Sequence, residues 1–231
     1  MSGYAGWRLP ALAILAIAQV SAAEVAGFRE RAASEGVTVP YVYPPIDPAR
    51  LLTGKALVDA LRAGGNVLYM RHTEAGKITP QCNESNLTTR GERDARFIGE
   101  SLRSLAIPVG VIATSPVCRV VDTTRRLGLG EFEVTGDLAN VSTPPTADLG
   151  QARSKRLATP PRPGTNTLLV SHMQGGKDFA NWINLDLGEI IVFRPGHEPA
   201  PAVARIRADD WYDLTDAARQ APKTDNERTP Q

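Results

Sequence analysis

The apolar and polar positions of this chain mark out a lead segment, a long patterned middle and a polar tail. Leu9 to Val20 is an apolar run behind Arg8, and the small residues Ser21-Ala22-Ala23 follow it. That is the pattern of an export signal cleaved near Ala23, and the run is shorter than the roughly 20 apolar residues a bilayer span needs. Residues 1–23 are therefore expected to be a signal peptide, and 24–50 an extended lead-in rich in proline (Pro40, Pro44, Pro45, Pro48). From Thr53 the period becomes helical, with Leu57 and Leu61 on one face and Gly64-Gly65 as the stop. Val67 to Met70 is a short apolar run bounded by turn residues, the signature of a buried strand. Glu74 to Asn86 is polar and irregular and reads as a loop. Thr89-Arg90-Gly91-Glu92 has the capping-box pattern and opens a helix with Ala95, Ile98, Leu102 and Leu105 on one face.

Pro108 closes that helix before a strand from Val109 to Ala113. Ser115-Pro116 reads as an N-cap followed by proline in the first helical position, with the helix ending at Gly128. Glu131 to Thr135 is expected as a short edge strand, 137–146 as a loop and Asp148 to Leu157 as a helix. Pro160 to Gly164 turns into a strand from Asn166 to Ser171, and a helix is expected around Phe179 to Ile183. Glu189 to Phe193 and Ala202 to Ile206 read as a closing hairpin, with Asp209 to Ala218 as the last helix. Trp182 and Trp211 are assigned to packing, and His197 to a surface turn. Residues 51–220 thus form the expected domain, and 221–231 are too polar to fold alone.

Length and composition narrow the classes. A chain of 231 residues with 42% apolar residues can bury one sizeable core. A net charge of +1 gives no case for a nucleic-acid partner or for binding an anionic membrane surface, and no stable membrane insertion is expected once the signal is removed. There are two cysteines, Cys82 and Cys118; export would place them in an oxidising compartment, where they can pair. Their spacing does not suggest a metal site, and no cofactor is expected.

The chemistry lies at the strand ends. Arg71-His72 closes the first apolar strand, Arg119 follows the strand from Val109, and His172 closes the strand from Asn166. In open α/β sheets sites form beyond the carboxyl ends of strands, so these four side chains can meet in one cationic pocket. Arg119, in the first turn of its helix, would face the same anion as the helix N-terminus. Guanidinium forks match phosphate oxygens, and a neutral imidazole can attack phosphorus and divide phosphoryl transfer into two steps. The leaving alcohol would still need a proton. With arginines beside it, the nucleophile should titrate below the ordinary histidine value, giving a bell-shaped profile with a mildly acidic optimum.

Taken together, Arg71-His72-Thr73 after a strand, Leu87-Thr88-Thr89-Arg90-Gly91 opening a helix, Ser115-Pro116-x-x-Arg119, and Ser171-His172 after a late strand resemble the histidine phosphatase (phosphoglycerate mutase-like) superfamily. The resemblance runs from about Leu57 to Arg205. It implies an α/β fold, a three-layer α/β/α sandwich with a mostly parallel sheet. It implies His72 as the residue phosphorylated in turnover, and Arg71, Arg119 and His172 as ligands of the phosphoryl group. The signal, the Arg-His-x-Glu start and the Cys-bearing loop are similar to those of exported bacterial members, the periplasmic heptose phosphatases of lipopolysaccharide core. A small-molecule or envelope phosphate ester would then be the substrate, in the periplasm or outside the cell.

The sequence departs from that family in its general acid. Mutase-like members carry a Glu in an insertion after the Ser-Pro-x-x-Arg helix, and here that region is short. Acid-phosphatase-like members carry Asp directly after the second His, where this chain has Met173 and Gln174. Asp137, Glu74 and Glu189 are the candidate acids, in that order. Glu74 and Gln174 are also candidate substrate ligands. Without an acid the enzyme would favour good leaving groups, or phosphohistidine. The alternatives are a phosphate- or anion-binding protein that has lost turnover, and a mutase, against which the short middle region argues.

Overall fold

The structure, a computed structural model, describes residues 48–79, 82–139, 147–172, 185–197 and 200–220. The export signal, most of the lead-in, Met173, Gln174, the helix expected around 179–183 and the tail lie outside these residues.

Helix α1 (Gly54–Ala63) leads into strand β1 (Val67–Arg71). Every residue from Val67 to Met70 is fully buried, because both faces of the strand are covered. Leu68 and Met70 point to one core cluster, and Val67 and Tyr69 to the other. Strand β4 (Val109–Thr114), strand β6 (Asn166–Ser171) and the two-residue edge strand β5 (Glu133–Val134) join β1 in parallel. Strands β7 (Ile190–Phe193) and β8 (Ala202–Ile206) form the expected hairpin and extend the sheet antiparallel to β1. The resulting sheet has six strands in the order β5-β4-β6-β1-β7-β8, a mixed but mostly parallel arrangement.

Four helices supply one face: α1, α2 (Thr89–Ser104), α3 (Cys118–Leu127) and α5 (Asp210–Gln220), whose Trp211 is fully buried. The opposite face is covered by α4 (Ala147–Ala158) through Leu157, by the 3-10 turn Gly136–Leu138 through Leu138, and by Leu185. This is an α/β/α arrangement with one heavy and one light layer. Gly99 lets α2 and α3 meet at van der Waals range: a Cβ on it would lie 1.9 Å from the carbonyl oxygen of Leu127.

The amino ends of the central strands are pinned far from any chemistry. Asn166 Oδ1 accepts from both the backbone N and Nδ2 of Asn66, and Asn166 Nδ2 donates to the carbonyls of Leu61 and Pro108. Both amides are buried and satisfied, which fixes the register of β1 on β6.

Three local expectations need correction. The stretch from Glu74 is not a loop: strands β2 (Ala75–Thr79) and β3 (Cys82–Leu87) pair antiparallel in a separate two-stranded sheet. Their sequence carries little apolar alternation, so the pairing left no periodic signal. The N-cap of α2 is Thr88, one residue earlier than the capping box suggested, and its hydroxyl accepts from Gly91 N at 3.1 Å. Helix α3 begins at Cys118 after Val117, not at Pro116; the Ser115 hydroxyl accepts from Val117 N at 3.4 Å, ahead of the first helical residue, and lies 2.9 Å from His172 Nε2.

Candidate active site

Three adjacent strands, β4, β6 and β1, end at one level. Register pairs Arg71 with Ser171 and Thr114 with Val170. Beyond the last rungs, His72 N donates to the carbonyl of Ser171 at 3.0 Å and Ser115 N to that of Val170 at 3.0 Å. The two histidines therefore stand side by side, with ring centroids 5.5 Å apart and planes at 73°.

His72 is held in one tautomer from both sides. Its Nδ1 lies 2.7 Å from the carbonyl oxygen of Thr73, which can only accept, so Nδ1 carries the proton. Arg119 Nε, which can only donate, lies 3.2 Å from Nε2. Nε2 is thus a lone pair pointed at a guanidinium. Burial pushes the His72 pKa down to about 4, helped by the charges of Arg119 and Arg71 and opposed by the Thr73 carbonyl.

His172 adopts the opposite tautomer. Arg119 Nη2 donates to its Nδ1 at 3.4 Å, so Nε2–H donates to Ser115 Oγ at 2.9 Å. Ser115 Oγ also accepts from Val117 N at 3.4 Å, tying the start of α3 to the second histidine. Burial, then His72, then Arg119, Arg153 and Arg71 push the His172 pKa down to about 3. Both imidazoles are neutral at ordinary pH, and the charges of Arg119 and Arg71 act on both.

Arg119 reaches both rings from the first turn of α3. One turn on, Thr123 secures it: Thr123 Oγ1 donates to the Arg119 carbonyl at 2.7 Å and accepts from Thr73 N at 3.2 Å. A hydroxyl on α3 thereby joins the arginine's backbone to the residue that holds His72. Cys118, immediately before Arg119, is disulfide-bonded, and Cys82 on β3 is the chain's one other cysteine.

Arg71, half-buried, donates from Nη1 to the Leu185 carbonyl at 2.5 Å. Desolvation lowers its pKa, while the carboxylates of Asp186 and Glu189 act against this. Arg153 is a buried cation that the sequence reading missed; it lies on α4, 4% exposed, and donates to the Ala139 carbonyl at 3.1 Å. Nothing in the period of α4 separates a buried arginine from its solvent-facing neighbours. Thr123 was also missed, since a helical threonine carries no sequence signal of its own.

The remaining candidates sit as follows. Glu74 Oε1 accepts from the Thr88 hydroxyl at 2.6 Å, at the cap of α2. Asp137 is bound by Arg156 Nε at 2.7 Å, in a cluster that includes Glu133. Glu189 is fully buried and chelated by Arg205. Gln174 lies outside the described residues. Among the described residues, no carboxylate is among the groups that shift either histidine, and no cluster of His, Cys, Asp and Glu could hold a metal.

No family model matches the sequence, and no curated protein is similar to it in sequence. Solved structures similar to it include the protein histidine phosphatase SixA complexed with tungstate, at 18% identity and a TM-score of 0.46, covering 63% of this chain and 98% of that one. A phosphoserine phosphatase from Entamoeba histolytica is similar at 14% identity and 0.46, covering 63% and 98%. The alpha-ribazole phosphatase of Shigella flexneri is similar at 15% identity and 0.45, covering 62% and 96%.

Proposed function

We propose that this chain is a metal-independent phosphatase of the histidine phosphatase superfamily, hydrolysing phosphomonoesters through a phosphohistidine on His72. The observation that carries the reading is the orientation of His72: Nδ1–H committed to the Thr73 carbonyl, Nε2 presented to Arg119. A phosphoryl group entering this pocket meets a lone pair and guanidinium donors together. Arg119 exchanges its contact on Nε2 for a phosphoryl oxygen as the group arrives.

Nε2 of His72 then forms a bond to phosphorus while the bond from phosphorus to the ester oxygen breaks. Arg71, Arg119 and His172 stabilise the charge on the transferring oxygens. The departing alkoxide takes a proton from an acid or from water. Water next attacks the phosphohistidine, the N–P bond breaks, and phosphate leaves with His72 neutral again. Neither histidine offers a ready proton at neutral pH, so esters with good leaving groups should react fastest.

Export to the periplasm, with residues 1–23 as the signal, completes the reading and would bring envelope or small-metabolite phosphates within reach. The test is phosphate release from p-nitrophenyl phosphate with EDTA present, beside His72→Ala. Release that survives EDTA and vanishes in the variant supports the phosphatase. Phosphate binding without release supports a binding protein of the same fold.

A further inference from the structure

We propose that Glu189 is a positioning residue for Arg71: its buried carboxylate staples the 185–189 turn, and that turn sets the direction of the guanidinium. The proposal rests on the phosphatase reading and deepens it, because neither residue alone shows why a carboxylate is buried so close to an anion site.

Glu189 is fully buried at the entrance to β7. Arg205, on the neighbouring strand β8, grips it with two donors, Nε to Oε1 and Nη2 to Oε2, the second at 2.8 Å. Oε2 also accepts from the backbone N of Asp186 at 2.7 Å. One carboxylate therefore links β8 to the near side of the turn.

The same turn holds the site from three points. The Leu185 carbonyl accepts from Arg71 Nη1 at 2.5 Å, the Glu189 carbonyl accepts from Arg71 N at 3.0 Å, and Gly188 N donates to the His72 carbonyl at 3.2 Å. Gly188 adopts φ +77°, and a Cβ there would come 3.2 Å from Ile98 and 3.4 Å from Thr73, so the turn passes close against both and takes a conformation that favours glycine. Leu185, which directs the guanidinium, precedes the stapled amide of Asp186 by one residue. Releasing the staple lets the Leu185 carbonyl move, and Arg71 with it. The carboxylates of Asp186 and Glu189 also act directly on Arg71, favouring its charged form against burial.

This role differs from that of a general acid. Both oxygens of this carboxylate are occupied as acceptors, by a guanidinium and a backbone amide. Glu189 acts through Arg71, so its removal should weaken phosphate binding rather than change the leaving-group dependence.

The test is a double-mutant cycle on the mature chain, read by the affinity for inorganic phosphate and by kcat and KM on p-nitrophenyl phosphate. Glu189→Gln should weaken phosphate binding roughly 10-fold or more, and Arg71→Ala by a comparable factor. In the Arg71→Ala background, Glu189→Gln should have little further effect, because both changes remove the same interaction. Arg205→Lys, which keeps the charge but loses the fork, serves where Glu189→Gln does not fold, and should show the same dependence on Arg71. Additive losses in both backgrounds would overturn the positioning role while leaving the phosphatase intact. A wild-type chain that neither binds phosphate nor releases it from the aryl ester would overturn both.

Discussion

Arg119 Nε lies 3.2 Å from Nε2 of His72, while the other nitrogen of that ring lies 2.7 Å from the Thr73 carbonyl. The pair defines the chemistry: a ring whose proton is held on the far side, and a fixed cation at its lone pair. It also makes the ring hard to protonate, since a proton on Nε2 would have to displace a guanidinium.

The acid limb of the rate profile follows. His72 works in its neutral form, and its pKa is pushed down to about 4, mainly by burial. The nucleophile is therefore active well below the ordinary histidine value of about 6.5. The acid limb of kcat/KM for p-nitrophenyl phosphate should fall near pH 4; a limb near 6.5 would show that the ring is hydrated and unpaired.

Stability should follow the same groups. The folded state resists protonating His72 and His172, with pKa values near 4 and 3, while the unfolded chain protonates them at about 6.5. Folding is therefore undiminished above about pH 6.5 and loses stability as the pH falls toward 4. The loss for His72 alone is on the order of 3 kcal/mol. Urea midpoints at pH 7 and pH 5 should differ, and His172→Gln should flatten the slope. Inorganic phosphate should oppose the loss, because a dianion in the pocket favours the charged rings.

Thr123→Val tests the support of Arg119. The substitution removes a hydroxyl that donates to the Arg119 carbonyl and accepts from Thr73 N, and leaves the latter buried without that acceptor. A loss of about 1–3 kcal/mol is the usual scale for such a group. Part of it should appear as a fall in kcat on the aryl phosphate, with Thr123→Ser recovering most of it.

Gly99→Ala tests the packing of α2 on α3. The added methyl would overlap the Leu127 carbonyl at 1.9 Å, and backbone cannot swing away as a flexible side chain can. Stability should fall by at least the roughly 1–3 kcal/mol of ordinary overpacking, read as a lower melting temperature. An unchanged melt would mean the helices are further apart than described.

Much of the site was legible because strand ends announce themselves: apolar runs closing on Arg71-His72 and on His172 are short, buried and aligned by register. The helix from Cys118 was legible through Ser115, whose hydroxyl accepts from Val117 N at the helix entrance and also meets His172. Thr123, Arg153 and Arg205 were not legible, since each acts through a tertiary contact that leaves no period in the chain. The β2–β3 pair was missed for the opposite reason, as its strands are polar and hold together by backbone pairing. Asp137 looked suited to give a proton by its place in sequence, but its carboxylate is engaged by Arg156. Asp137→Asn removes a half-exposed ion pair, which contributes about 0–1 kcal/mol, and should leave turnover of p-nitrophenyl phosphate within a few-fold of wild type.

The most direct measurement is a rapid-quench reaction of the mature chain with a radiolabelled aryl phosphate, followed by peptide mapping. The expected result is a protein-bound label that is stable in alkali, lost in acid, located at His72 and absent from His72→Ala. Phosphate release with no such label, or a label on another residue, would contradict it.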